Sequence, residues 1–485
     1  MARESPAPDR LLLRGVTVFQ APLRPLDLRL AAGDHLVVSG PRGSGKTLLA
    51  EALTGRRRLT AGSLAYPFLG PEVGYATRRE AIRLVSFHDH SRLSRGPNHE
   101  HYYQQRFNAF DASGHPTVAD YLHVSGYAPG LQAAAVDTFG LGDLLDRERI
   151  KLSSGQTRKL LLARELLGHP RLVIIDNPYA GLDPASRTAL NELLDRLVED
   201  LDITLVLHTN VTNLPHCINR RLHLTSDGHW TEGGRDTYQP PRPAVDGGGL
   251  QRLAAQWQAS IGAVTQEVVR CENVRVSYDG HAVIDGLDWR VTAGDRWVVH
   301  GPNGSGKSTL LSLIYADHPQ VYANRVYLFG QRRGAGSSIW DVKRQIGFAS
   351  PELAAHFRER LSAREVVLTG LTDTFLGPRQ VAETAMEVAN LLLDYFGLAP
   401  QADENFHTLS TGTQRLLLLC RAVVKLPPVL LLDEPFQGLD AVDIARARAL
   451  LSAAVPARAT VIFISHFREE VPAGGNWQVL DLGAV

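Results

Sequence analysis

Short apolar runs alternate along this chain with longer stretches in which apolar residues recur at helical spacing. Residues 35–39 and 297–300 are runs that end in a glycine-rich turn, and 172–175 and 429–432 are runs that end in an aspartate. Runs without polar alternation suit strands buried on both faces of a parallel sheet. With amphipathic helices on those faces, the pattern predicts an α/β, doubly wound core.

The pattern occurs twice. Lys46 recurs 261 residues on as Lys307, while Leu152, Asp176 and Asp183 recur 257 residues on as Leu409, Asp433 and Asp440. Motifs kept in one order at nearly one spacing mark an internal duplication. Between the halves, residues 226–249 are rich in Gly, Pro and polar side chains and read as a linker. A short helical pattern over 250–258 leads into the second half. The expected boundaries are a first domain over 1–232, a linker over 233–265 and a second domain over 266–485.

Composition narrows the class. At 485 residues, 44% hydrophobic and 21% charged, the chain is an ordinary globular protein with room for a core in each half. Lys plus Arg and Asp plus Glu each total 51, so no net charge serves as a general attractant for nucleic acid or acidic lipid; a local basic patch is compatible with that balance. Cys217, Cys271 and Cys420 are far apart and form no CxxC pair, which argues against a zinc site or a disulfide framework and for a reducing, cytosolic setting. The N-terminal residues lack the apolar core of a signal peptide, and no stretch reaches the roughly 18 apolar residues a membrane helix needs. The nearest, 416–424, is broken by Arg421. Any membrane role is expected to come from a partner chain.

Gly40, Pro41, Arg42, Gly43, Ser44, Gly45, Lys46 and Thr47 satisfy the phosphate-loop pattern, as do Gly301, Pro302, Asn303, Gly304, Ser305, Gly306, Lys307 and Ser308, followed by Thr309. The glycines let backbone N–H groups close round phosphate oxygens at a helix N-terminus; the lysine neutralises the β and γ phosphates, and the Thr or Ser hydroxyl holds Mg²⁺. Further on, each half has an apolar strand ending in an acid, Asp176 or Asp433, placed to hold the same Mg²⁺ through water. The next residue differs. Glu434 can accept a proton from the attacking water and orient it, whereas Asn177 is neutral and cannot act as a base.

Between loop and acid strand lie Leu152-Ser153-Ser154-Gly155-Gln156 and Leu409-Ser410-Thr411-Gly412-Thr413. Ser-Gly opening a helix points hydroxyl and N–H groups outward, where they can clamp a γ phosphate. With these loops, and with 180–183 and 437–440 closing the set, the chain resembles the ATP-binding-cassette family over nearly its whole length. The resemblance implies two phosphate-loop NTPase nucleotide-binding domains, each with a RecA-like core, a β-subdomain and a helical signature subdomain. It places Phe19 and Tyr278 against adenine, and it implies an ATPase using ATP and Mg²⁺.

In this family two cassettes pair head to tail, each ATP lying between one phosphate loop and the other cassette's signature. The resemblance therefore joins Lys307, Ser308, Asp433 and Glu434 to Ser153, Ser154, Gly155 and Gln156 in one site with all the usual parts. The other site joins Lys46, Thr47, Asp176 and Asn177 to the altered Ser410, Thr411, Gly412 and Thr413. His466 follows the strand 461–465 as the residue that bridges γ phosphate and water. Counting from Thr204 against Thr460, its counterpart is Asn210; His208 stands two residues early, and a short gap would bring it into place. Hydrolysis is expected mainly at the site with Glu434 and His466.

Other features depart from the family. His88 and Ser350 stand where a glutamine normally couples the nucleotide site to the moved partner. The insertion from 88 to 123 holds His88, His90, His99, His101, His115 and His123, which could form a metal site or a polar docking loop. The motif variants resemble the ModF type of twin cassette, known as molybdate-transport or photorepair ATP-binding proteins, though no residue here reads an oxyanion substrate. The expected role is to energise a transport system through membrane permease subunits, in the cytoplasm or peripherally at the inner face of the membrane. The alternative is an ATP-dependent switch acting on a ribosome, DNA or a protein.

Overall fold

The fold comes from a computed structural model that describes residues 8–70, 73–87, 116–123, 129–149, 152, 154–179, 182, 184–211, 213–236, 246–262, 265–278, 281–302, 305–315, 317–334, 336, 338–357, 360–465, 471–472 and 475–483. Two compact units divide the chain, Met1–Pro240 and Pro241–Val485.

In the first unit the order is β1 (Asp9–Val18), β2 (Leu26–Ala31), β3 (Leu36–Ser39), α1 (Lys46–Leu53), β4 (Leu59–Ala65), α2 (Tyr75–Ala81), β5 (Ile82–Ser86), α3 (Val118–Leu122), α4 (Pro129–Phe139), α5 (Ser154–Leu166), β6 (Leu172–Asp176), α6 (Pro184–Asp200), β7 (Thr204–His208), β8 (Arg220–Leu224) and β9 (Trp230–Gly234). The main sheet runs β5-β6-β7-β3-β8-β9, parallel except for the antiparallel last pair. All of β6 and β7 is buried, as unbroken apolar runs require. Successive side chains of β7 enter different cores: Leu205 and Leu207 pack with α5 and α6, and Val206 packs with α1 and the antiparallel β2-β1-β4 sheet. Buried and exposed positions alternate along β2, the pattern of a strand with one wet face. Each fully buried aliphatic side chain contributes about 1.5–3 kcal/mol, so two cores hold the central strands from both sides.

The second unit opens on α7 (Gly247–Ser260), then β10 (Glu267–Tyr278), β11 (His281–Thr292), β12 (Arg296–His300), α8 (Lys307–Ile314), β13 (Arg325–Leu328), β14 (Gln331–Arg332), α9 (Ile339–Lys343), β15 (Ile346–Ala349), α10 (Ala363–Leu368), α11 (Glu383–Tyr395), α12 (Thr411–Val423), β16 (Val429–Asp433), α13 (Ala441–Ala449), β17 (Thr460–Ile464) and β18 (Trp477–Asp481). Its parallel sheet is ordered β15-β16-β17-β12-β18, beside an antiparallel sheet β11-β10-β13-β14. Helix α12 contains the apolar stretch broken by Arg421. It is a core helix, with Arg421 buried and its Nε donating to Thr369 Oγ1 at 2.9 Å. Among the described residues no helix is long and apolar enough to cross a membrane. All three cysteines are free thiols.

The span expected as linker is structured at both ends. Strand β9 runs on to Gly234, and α7 belongs to the second unit. Asp246 caps α7 by accepting from Gly248 N at 3.0 Å and Gly249 N at 3.1 Å. Leu250, Leu253 and Trp257 form its buried face at helical spacing, and Trp257 Nε1 donates to the Pro427 carbonyl at 3.1 Å. The glycines that made 247–249 read as linker are the first turn of a capped helix.

Candidate nucleotide site

Each main sheet delivers the fourth strand in its order, β3 or β12, into a glycine-rich turn and then a helix. Gly45 and Gly306 precede α1 and α8 with φ of 90° and 89°, a left-handed conformation that side chains rarely adopt. At Gly306 a Cβ would also stand 2.9 Å from Val283 Cγ1, so only glycine fits between loop and strand. Lys46 Nζ donates to the carbonyls of Gly40 at 2.6 Å and Pro41 at 2.9 Å; Lys307 Nζ donates to Gly301 at 2.8 Å and Pro302 at 2.7 Å. Both ammonium groups are thus held against the loops whose N–H groups suit phosphate oxygens. Asn303 and Gly304 lie outside the described residues.

The loops meet the acid strands through one hydrogen bond each. Thr47 Oγ1 donates to Asp176 Oδ2 at 3.1 Å, and Ser308 Oγ donates to Asp433 Oδ2 at 3.2 Å. A hydroxyl beside a carboxylate is a hard-oxygen donor pair that fits Mg²⁺, with the remaining positions left to phosphate and water. Thr47 with Asp176 and Ser308 with Asp433 would hold such an ion, which would supply neutralising charge to a bound phosphate. Burial raises the Asp433 carboxyl to about 7, with Glu434 and Glu352 adding to it against Ser308 and Lys307. An ion at that place would have a carboxyl ready to give up its proton.

After each acid the chain makes the same turn. Asn177 has φ 54° and Glu434 φ 45°; Asn177 N–H donates to the His208 carbonyl at 2.9 Å and Glu434 N–H to the Ile464 carbonyl at 3.1 Å. Only the side chain changes, from neutral amide to carboxylate. Two residues near Glu434 gain a place here: Arg415, not singled out from the sequence, and Gln437, known there only as the first residue of the 437–440 motif. Gln437 Nε2 donates to Glu434 Oε2 at 2.6 Å, and half-buried Arg415 on α12 has its guanidinium lowered to about 10 by desolvation, against the charges of Glu434 and Glu352. Ser350, Arg415, Asp433 and Glu434 help line a cavity of about 10 Å³, near the lower limit for one water. The duplication held a signal for Arg415, because Arg158 stands 257 residues earlier. Arg158 lies over the Phe87 ring at 5.2 Å and its Nε donates to the Pro178 carbonyl at 2.9 Å. Gln437 has Ala180 as its counterpart, so the repeat carried no signal for it.

The other expected residues are placed as follows. Asn210 Oδ1 accepts from Gly40 N at 2.9 Å, so this side chain reaches the first phosphate loop. His208 ends β7 as the register partner of Asp176 and is buried; burial lowers its imidazole to about 4. Ser410 caps α12, accepting from Thr413 N at 3.2 Å, with the two hydroxyls 2.8 Å apart. Thr413 is buried, while its counterpart Gln156 is half-buried on α5. Phe19 is 49% exposed, and the Tyr278 hydroxyl lies 2.6 Å from His318 Nε2. Ser153, Asp183, His466 and the insertion over 88–115 lie outside the described residues. Among the described residues no group of three or more His, Cys, Asp or Glu could hold a metal.

The ABC transporter family matches residues 23–180 and 284–437. The ABC transporter ATP-binding protein ModF of Escherichia coli strain K12 is 34% identical over 458 residues, 92% of this chain and 91% of that protein. An uncharacterized ABC transporter ATP-binding protein of Schizosaccharomyces pombe, C323.04, is 30% identical over 463 residues, 93% of each chain. Among solved structures, the complex of archaeal ribosomal stalk protein aP1 and archaeal ribosome recycling factor aABCE1 matches with a TM-score of 0.53 at 16% identity, over 94% of this chain and 84% of that one. The RNase-L Inhibitor matches with a TM-score of 0.52 at 15% identity, over 93% and 84%. Those two likenesses concern the fold. With both phosphate loops and both acid strands inside the matched segments, the chain belongs to the ATP-binding-cassette family, as a tandem ATP-binding protein and ATPase.

Proposed function

We propose that this ATPase energises an ABC-type transport system through partner membrane subunits, and that it hydrolyses ATP mainly at the second phosphate loop. In this reading Lys307 and Ser308 receive the phosphates and Mg²⁺ with Asp433, Glu434 orients and deprotonates water, His466 bridges water and γ phosphate, and Ser153, Ser154, Gly155 and Gln156 complete the site. The first loop, with Asn177 and the altered signature from Ser410 to Thr413, binds ATP and turns it over slowly. One observation carries the asymmetry: the same left-handed turn presents a carboxylate held by Gln437 in one unit and the amide of Asn177 in the other.

Transport through partners is supported by the names of the relatives, transporter ATP-binding proteins matched over most of their length, and by the lack of any membrane-crossing helix among the described residues. Affinity capture of tagged Glu434→Gln protein with ATP tests it. Co-purification of membrane permease subunits is expected. Recovery of ribosomes, DNA or a non-membrane protein in their place would make the protein an ATP-dependent switch.

A further inference from the structure

The duplication lets each place in one unit be compared with its counterpart in the other. Between α8 and β15 the second unit fills a gap with Tyr315, Asp317 and Lys343. Tyr315 is buried, Lys343 Nζ stands 2.6 Å from Asp317 Oδ1, and the same ammonium lies 4.5 Å over the Tyr315 ring. Counted from the phosphate-loop lysines, Tyr315 and Asp317 correspond to Thr54 and Arg56. Counted back from the first residues of the edge strands, Ile346 and Ile82, Lys343 corresponds to Arg79. The first unit has therefore lost the ring, kept the cation and replaced the acid by a second cation.

A cavity of about 240 Å³ opens there, lined by Thr54, Arg56, Arg79, Ile82 and Arg83. Arg83 adds a third guanidinium at the place of Gly347. Two acids lie nearby and each is already paired, Glu51 with Arg57 at 2.6 Å and Glu165 with Arg83 at 3.8 Å. Arg56 and Arg79 are exposed and have no ion-pair partner among the described residues. Like charges gathered in one cavity repel unless an anion lies between them, and guanidinium forks match tetrahedral oxyanions in geometry as well as charge. The volume is many times the roughly 10–15 Å³ that holds one water, enough for an oxyanion the size of a diphosphate.

We propose that this cavity is an anion site for a phosphate-class oxyanion, supplied by a phosphorylated small molecule or by a nucleic-acid backbone. It lies outside the phosphate loops and uses none of their residues. Arg56→Asp is the decisive variant, because it restores the acid that the second unit pairs with Lys343. The full chain, with both phosphate loops saturated by a non-hydrolysable ATP analogue, is titrated with inorganic pyrophosphate and separately with a short single-stranded RNA while melting is followed. Wild type is expected to show saturable stabilisation, by pyrophosphate if a small molecule is the source and by RNA alone if a backbone is. Arg56→Asp weakens that binding by at least about tenfold, the loss of one charge-assisted contact, and without anion melts no lower than wild type. Arg79→Gln gives the same loss of binding and serves should Arg56→Asp fail to fold. Unchanged affinity in the variants, no saturable response to either probe, or stabilisation by poly-glutamate alone would overturn the proposal.

Discussion

Glu434 occupies a backbone conformation that suits its counterpart better. At φ 45° a glutamate stores about 1–3 kcal/mol that an asparagine, at home in left-handed turns, largely avoids. The strain persists because the turn aims a carboxylate beside Asp433. Glu434→Asn should therefore raise the melting temperature while lowering ATP turnover by about 10²–10⁴, the usual cost of losing a general base. A variant that melts no higher would remove strain from the account of this turn. The neighbouring Asp433 gives a pH dependence. Its folded value of about 7 lies above the ordinary 3.8, so its protonated form stabilises the fold at low pH and that contribution is lost as pH rises towards 7. With EDTA present, Asp433→Asn should exceed wild type in melting temperature at about pH 8 and match it at about pH 4. The phosphate loops and the acid strands that follow them were legible as patterns of local spacing. The bond from Gln437 to Glu434 depends on how the following turn folds back, and the places of His208 and Asn210 depend on the register of β7.

At the scale of elements, the unbroken apolar runs announced the buried strands, and the repeat announced that there would be two such sheets. The linker is where composition misled. Glycines at 247–249 suggest flexible chain, but Asp246 caps them and the face of Leu250, Leu253 and Trp257 supplies the burial that helix propensity lacks. Trp257→Ala should destabilise the second unit by about 3–5 kcal/mol, read as a lower urea midpoint for that unit's transition. A change confined to the first unit's transition would contradict the placement of α7. The signature helices differ in a way spacing alone hid: Thr413 turns its hydroxyl to Ser410 at the start of its own helix, whereas Gln156 is half-buried on α5. That difference falls in the signature whose sequence is altered, 410–413.

For the whole molecule, duplication followed by unequal substitution is the organising fact. The two units keep the same loop, lysine, acid and left-handed turn, and they part at Asn177 against Glu434, at Ala180 against Gln437, and at Arg56 against Asp317. The first two differences follow the acid strands, and the third gives the first unit a cationic cavity where the second has an ion pair. In the function proposed, Glu434 performs most of the chemistry while the first loop mainly holds ATP. Steady-state ATP turnover of Glu434→Gln measured beside Asn177→Ala tests it most directly. A fall of about 10² or more is expected for Glu434→Gln and a rate within about twofold of wild type for Asn177→Ala. Equal rates in the two variants would contradict it.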